Sequence, residues 1–179
     1  MQVADAKEGH LPEILAIYND VIATTTAVYS EEPFTLESRV EWWKIRTALH
    51  YPILVALEDD KVLGFSSFAD FRPWPCYRYT VEHTVHVRAE ARNRGVGRAL
   101  IQALFPLAAA LGKHVLIGGI DAENAASIHL HRKLGFEPVG HLREIGRKFD
   151  RWLDLVFLQR VLTGADHVGK EIPRDAANA

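Results

Sequence analysis

The chain has one cysteine, Cys76, one methionine, Met1, and almost no net charge. A single cysteine excludes an internal disulfide and fits a reducing, cytoplasmic setting. With 21 Lys and Arg against 23 Asp and Glu, the formal charge is −2, so no global field recruits nucleic acid. No apolar run approaches the roughly 18 residues of a membrane span, and the N-terminus lacks the charged-then-apolar layout of a secretion signal. Repeats and low-complexity blocks are missing too. With 48% apolar and 25% charged residues in 179, the composition is that of an ordinary folded protein with room for a core. The expectation is one domain over residues 1–162, followed by a loosely held tail, 163–179, where the composition turns polar and aperiodic.

What is present concentrates between Glu82 and Arg98, EHTVHVRAEARNRGVGR. The stretch reads as a strand that stops at a turn carrying Arg92, Arg94, Gly95 and Gly97, then an apolar-periodic helix. A turn of this kind gathers backbone N–H groups at the positive end of a helix dipole, which makes an anion cradle. Arg88, Arg92, Arg94 and Arg98 add charge, so a phosphate-bearing ligand is expected. The Gly-Lys-Ser/Thr ending of a Walker-type loop is absent.

Around this stretch the periodicity predicts a short strand over 1–6 and a helix over 11–23. A helix capped by Thr35 with Ser38 follows, then two strands, 53–57 and 62–71, joined by a turn at Glu58–Lys61. An aromatic loop, Arg72 to Arg78, precedes the strand 79–87. Beyond the cradle come a helix over 96–111, a buried strand over 115–120, a helix over 122–134 ended by Gly135, and strands near 136–139 and 152–161. Mixed hairpins and helical crossovers imply an α/β fold (α+β) with a mixed, partly antiparallel sheet flanked by helices.

Three segments in order carry a resemblance. Arg92-Asn-Arg-Gly-Val-Gly97 matches the R/Q-x-x-G-x-G/A signature of the GCN5-related N-acetyltransferases. Asn124-Ala-Ala-Ser127 and His131-Arg-Lys-Leu-Gly135-Phe136 resemble that family's next helix and its L-G-F turn. Thr80-Val-Glu-His-Thr-Val-His-Val87 with Ser127-x-x-Leu-His131 is similar to the phosphinothricin and methionine sulfoximine acetyltransferase branch. The resemblance implies the GNAT fold, with splayed central strands, and acetyl-CoA as cosubstrate. Its pantetheine arm would bind as an extra strand beside Val85, His86 and Val87. Its pyrophosphate would rest on Arg92, Asn93, Arg94, Gly95, Val96, Gly97 and Arg98, and Asn124 and Lys133 complete the expected cofactor contacts.

Amide formation needs a neutral amine, and an α-amino group with a pKa of ~8 is largely protonated at pH 7. Strand alternation sets Glu82, Thr84 and His86 on one face, and similar enzymes carry a glutamate at the position of Glu82, the expected base. His131 stands where many members of the family have tyrosine and is the candidate acid, with Asn124 and His131 placed on one helical stripe. Arg72 and Arg78 suit an amino acid's carboxylate. Pro75, Cys76, Tyr77, Tyr29 and Phe34 are expected to wall the acceptor pocket, with Lys148 and Trp152 as weaker candidates. Cys76 has no base to make it a nucleophile, so direct transfer is expected. His83 and His86 point to opposite strand faces, and His129 and His131 are far apart around a helix, so neither cluster chelates; no metal is expected.

These residues and the resemblance together predict acetylation of a small amino-acid-like acceptor, namely methionine sulfoximine, methionine sulfone or phosphinothricin. Other amines (a polyamine, an antibiotic, a protein N-terminus) and a non-catalytic acyl-CoA sensor stay open. No nucleic-acid or membrane partner is expected, and a homodimer is, with Trp42 and Trp43 available for an exposed apolar patch.

Overall fold

The computed structural model describes residues 1–166. Seven strands form one sheet: β1 (Gln2–Asp5), β2 (Ile53–Glu58), β3 (Lys61–Asp70), β4 (Thr80–Val87), β5 (Val115–Asp121), β6 (Glu137–Lys148) and β7 (Arg151–Val161). Their order is β1-β2-β3-β4-β5-β7-β6. Every neighbouring pair is antiparallel except β4 with β5. Four helices cover it: α1 (Leu11–Thr24), α2 (Leu36–Ala48), α3 (Val96–Ala110) and α4 (Ala125–Lys133).

Strand alternation divides the core. Leu54, Ala56 and Leu63 face α3, where Leu100, Ile101 and Leu104 are fully buried. Ile53, Val55 and Phe65 face α1 and pack on Leu11, Ile14 and Ile17. Each fully buried aliphatic or aromatic side chain of this kind stabilises the fold by about 1.5–3 kcal/mol. Thr35 caps α2 as the sequence predicts, its side chain accepting from the Ser38 N–H at 3.3 Å. Trp42 and Trp43 pack against the α1 cluster rather than standing free. The exposed tryptophans are instead Trp74 and Trp152, each about three-fifths exposed.

Two boundaries depart from expectation. β6 runs on to Lys148 and forms a long hairpin with β7. Its turn, Phe149-Asp150, has both residues at positive φ, as a tight two-residue hairpin needs. The helix expected from residue 122 begins at Ala125, because Asn124 is its cap: the Asn124 side chain accepts from the Ser127 N–H at 3.1 Å. Of the expected tail, Asp166 is tied back by Arg160 at 2.7 Å and by the Thr163 N–H at 2.9 Å. Residues 167–179 lie outside the described residues.

Candidate active site

β4 is paired with β3 over Val81–Val87, but with β5 only over Thr80–Glu82. Beyond Glu82 the two parallel strands part, and β5 continues on β7 to Asp121. The His83 ring fills the fork: its Nδ1 lies 2.8 Å from the Ile117 carbonyl oxygen. Among the described residues no strand pairs with the β5-facing edge of Val85–Val87, so that edge is open to an extended, amide-bearing ligand.

At the end of this edge sits the cradle. Gly95 caps α3 at φ +79, a left-handed conformation that a glycine adopts without strain, and it makes no side-chain cap hydrogen bond to the first turn. The N–H groups of Val96, Gly97 and Arg98 therefore lack intrahelical acceptors. Arg92, Asn93 and Arg98 are exposed around them. Two of the expected arginines are engaged elsewhere. Arg94 forks onto Glu58, with both oxygens at 2.8 Å, and Arg88 bonds Glu13 at 2.9 Å and the Val62 carbonyl at 2.6 Å. These contacts anchor the turn to the β2–β3 hairpin and to α1. The donors that remain, an uncapped helix start with Arg92 and Arg98, fit a pyrophosphate.

Glu82 lies at the fork and borders two cavities of about 240 and 260 Å³. The first is walled by α1, α2 and β3, with Phe34, Arg39, Trp42 and Phe65 among its lining. The second lies in the fork itself, with Gly118, Gly119, Asn124, Ser127 and His131. Burial raises the Glu82 pKa above the ordinary carboxylate value, while the Arg72 charge pulls it down. A side chain on β5 would invade this point: a Cβ on Gly119 would stand 2.8 Å from Glu82 Oε1.

The two histidine clusters, separate in the sequence reading, meet in space. His83 and His131 are both buried, with their Nε2 atoms 2.9 Å apart. His131 Nδ1 lies 2.7 Å from the Ser127 carbonyl oxygen and 3.4 Å from its hydroxyl. Two neutral rings carry two N–H groups for three close contacts: Ile117 O, the Nε2–Nε2 contact and Ser127 O. The Ser127 hydroxyl, 3.4 Å from His131 Nδ1, can supply the third proton while His131 Nε2–H donates to His83 Nε2, so the pair can be satisfied without a positive charge.

Burial opposes that charge. It pushes His83 down to about 3, with His131 adding repulsion, pushes His86 down to about 4, and lowers His131. The folded rings stay neutral where the unfolded rings protonate, below about pH 6.5. Their contribution to stability is present above that pH and is lost as pH falls toward 4, by up to ~1.4 kcal/mol per pH unit for each histidine. Urea unfolding between pH 7.5 and 5 is expected to show this loss, with a shallower slope in a His86→Phe variant, whose ring would sit between Tyr18 and Phe65. An unchanged slope would contradict the assignment.

The remaining expected residues are scattered. Phe34 walls the first cavity. Arg72 lies over the Phe71 ring with its charge felt at Glu82, whereas Arg78 turns onto its own loop, donating to the Pro75 carbonyl at 3.2 Å. Pro75, Cys76 and Tyr77 form an exposed 3-10 turn in that loop. Tyr29 leans on the β6–β7 hairpin, donating to the Asp154 carbonyl at 3.0 Å and packing over Gly146. Lys133 is exposed at the C-terminal end of α4. Lys148 is fully buried and donates to the carbonyls of Ile22, Thr25 and Val28, which makes it a clamp on the end of α1 rather than a pocket residue. Trp152 is on the outer hairpin, opposite Arg147. Arg39 and Asp121, both buried at cavity walls, were not among the residues singled out from sequence.

A sheet split beside an uncapped helix start, with a carboxylate at the fork, makes a site that can hold a phosphate-bearing ligand beside a base. Residues 14–136 match the acetyltransferase (GNAT) family. The chain belongs to that family and is of the N-acetyltransferase class. An L-methionine sulfoximine/L-methionine sulfone acetyltransferase of Pseudomonas paraeruginosa is 49% identical over 158 residues, 88% of this chain and 92% of that protein. The crystal structure of an N-acetyltransferase from Staphylococcus aureus superposes with a TM-score of 0.89 at 47% identity, covering 90% of this chain and 98% of that one. A phosphinothricin acetyltransferase from Sinorhizobium meliloti, in complex with AcCoA, gives 0.89 at 32% identity over 97% of this chain and 94% of that one.

Proposed function

We propose that this chain transfers acetyl from acetyl-CoA to the α-amino group of L-methionine sulfoximine, L-methionine sulfone or phosphinothricin, directly and without an acetyl-enzyme. The observation that carries this reading is the position of Glu82 between the two cavities, one in the fork beside the open β4 edge and one walled by aromatic and cationic side chains. The relatives, a methionine sulfoximine/sulfone acetyltransferase and a phosphinothricin acetyltransferase, support the acceptor class.

Bound acetyl-CoA supplies the activated thioester. The open edge at Val85–Val87 aligns its arm, while the N–H groups of Val96, Gly97 and Arg98, with Arg92 and Arg98, hold its phosphates. The side-chain amide of Asn124, whose oxygen is committed to its cap, has Nδ2 left to donate into the fork. Glu82 takes the proton that the amine must lose, directly or through a water; its raised pKa brings it nearer to the working pH and strengthens it as a base. His131, kept neutral beside His83, positions the leaving sulfur, which takes up a proton that the amine gives up. Arg72 faces the acceptor's carboxylate beside Glu82. Arg78, Pro75, Cys76, Tyr77, Phe34 and Tyr29 belong to the same acceptor side, the loop residues lying over its entrance.

We also assign the enzyme to the cytoplasm, as a homodimer whose contact uses the exposed Trp152 and Ile145 of the β6–β7 hairpin. No helix among the described residues is long and apolar enough to cross a membrane.

An amine panel followed by coenzyme A release tests the proposal. Turnover is expected with the sulfone, the sulfoximine and phosphinothricin, and little with polyamines. Tight acetyl-CoA binding without turnover of any amine would favour an acyl-CoA sensor instead.

A further inference from the structure

Two arginines border the first cavity without forming an ion pair among the described residues. Arg39, on α2, is 4% exposed, with its guanidinium 4.3 Å above the Tyr18 ring and 4.7 Å from the Trp42 ring. Two helical turns further on, the half-buried Arg46 has its guanidinium 5.9 Å from the Trp42 ring. The Nε atoms of both are buried without a hydrogen-bond partner.

Burying a guanidinium is costly, and aromatic faces return only part of that cost. Two such cations side by side add repulsion, and Arg46 lowers the affinity of Arg39 for its own proton. An arrangement of this kind is completed by oxygens that enter the cavity. Both arginines border the same space as Glu82.

The acceptor's carboxylate is not the natural occupant. It shares a carbon with the amine, so it stays beside Glu82, where the charge acting on that carboxyl is Arg72. The arginines on α2 are left for the opposite end of the molecule. Between them, Phe65 and Trp42 present apolar walls suited to methylenes.

We propose that Arg39, supported by Arg46, is the subsite for the tip of the acceptor's side chain, and that it selects amino acids ending in a sulfone, sulfoximine or phosphinate group. The guanidinium fork donates to paired oxygens on sulfur or phosphorus, which a thioether lacks. The proposal rests on the acceptor reading above, and it adds which end of the substrate the enzyme discriminates and by which residue.

The test compares L-methionine sulfone with L-methionine, which differ only in the two oxygens on sulfur, in the wild type and in Arg39→Met. The ratio of kcat/KM for sulfone over methionine is expected to fall about 10- to 100-fold, the scale of one lost charge-assisted hydrogen bond, mainly through KM for the sulfone. The KM for acetyl-CoA should stay the same. Arg39→Lys, which keeps the charge and loses the fork, should give an intermediate ratio and covers the case in which Arg39→Met folds poorly. An unchanged ratio in both variants, with wild-type turnover intact, overturns the subsite alone. A wild type that acetylates no amino acid overturns the acceptor reading, and the subsite with it.

Discussion

Replacing Glu82 by glutamine is expected to lower kcat with L-methionine sulfone at pH 7 about 100- to 10,000-fold, the usual range for a positioned general base. Glutamine keeps the shape and removes the proton acceptor, so coenzyme A affinity and thermal stability should change little. The pH dependence carries the sign. Burial raises the Glu82 pKa, and the base works only when ionised, so wild-type kcat/KM must fall as pH drops through a value above the ordinary carboxylate range. In the glutamine variant that limb should vanish, leaving only the fall set by protonation of the amine itself, at pH ~8. Steady-state kinetics between pH 5 and 9 check both statements. Full turnover in the variant would remove Glu82 from the chemistry.

Loss of the Lys148 ammonium should be the largest single destabilisation. Its Nζ lies 2.6, 2.8 and 2.9 Å from the carbonyl oxygens of Ile22, Thr25 and Val28. Those groups end α1 and start the segment leading to Tyr29, where helix carbonyls have no intrahelical donors. A lysine there also complements the negative end of the helix dipole. Lys148→Met would leave three carbonyls without a donor and cost about 3–5 kcal/mol. The expected drop in melting temperature is on the order of 10 °C. A midpoint unchanged within a degree or two would show that water replaces the ammonium freely.

Much of the scaffold was legible because it follows local rules. The apolar spacing of α1 and α3, the cap at Thr35 and the glycine turn before α3 are written within a few residues of where they act. β6 beyond Val139 was not, since most of its side chains are exposed on both faces and the alternation that announces a strand is missing. The His83–His131 contact joins positions 48 residues apart, and no periodicity reports such a meeting. Lys148, expected as a weaker pocket candidate, instead meets carbonyls 120 or more residues away, which no local pattern reports.

Arg39 carried a signal that could have been used. It shares the inner stripe of α2 with Trp42 and Trp43 at i+3 and i+4, and Arg46 follows at i+7. A charged residue inside an apolar stripe is either paired or waiting for a ligand. Two of the arginines around the cradle also make pairs within the chain that their spacing does not announce. Arg88 and Arg94 sit beside it in sequence, yet bond Glu13 and Glu58 in space.

The central claim is that Glu82 stands between an acetyl-CoA fork and an acceptor pocket. A crystal structure of Glu82→Gln with coenzyme A and L-methionine sulfone tests it most directly. The expected result has pantetheine along Val85–Val87, the amine ~3 Å from the side chain of residue 82, and the sulfone oxygens on Arg39. An acceptor bound outside the first cavity, with its amine out of reach of residue 82, would contradict the account.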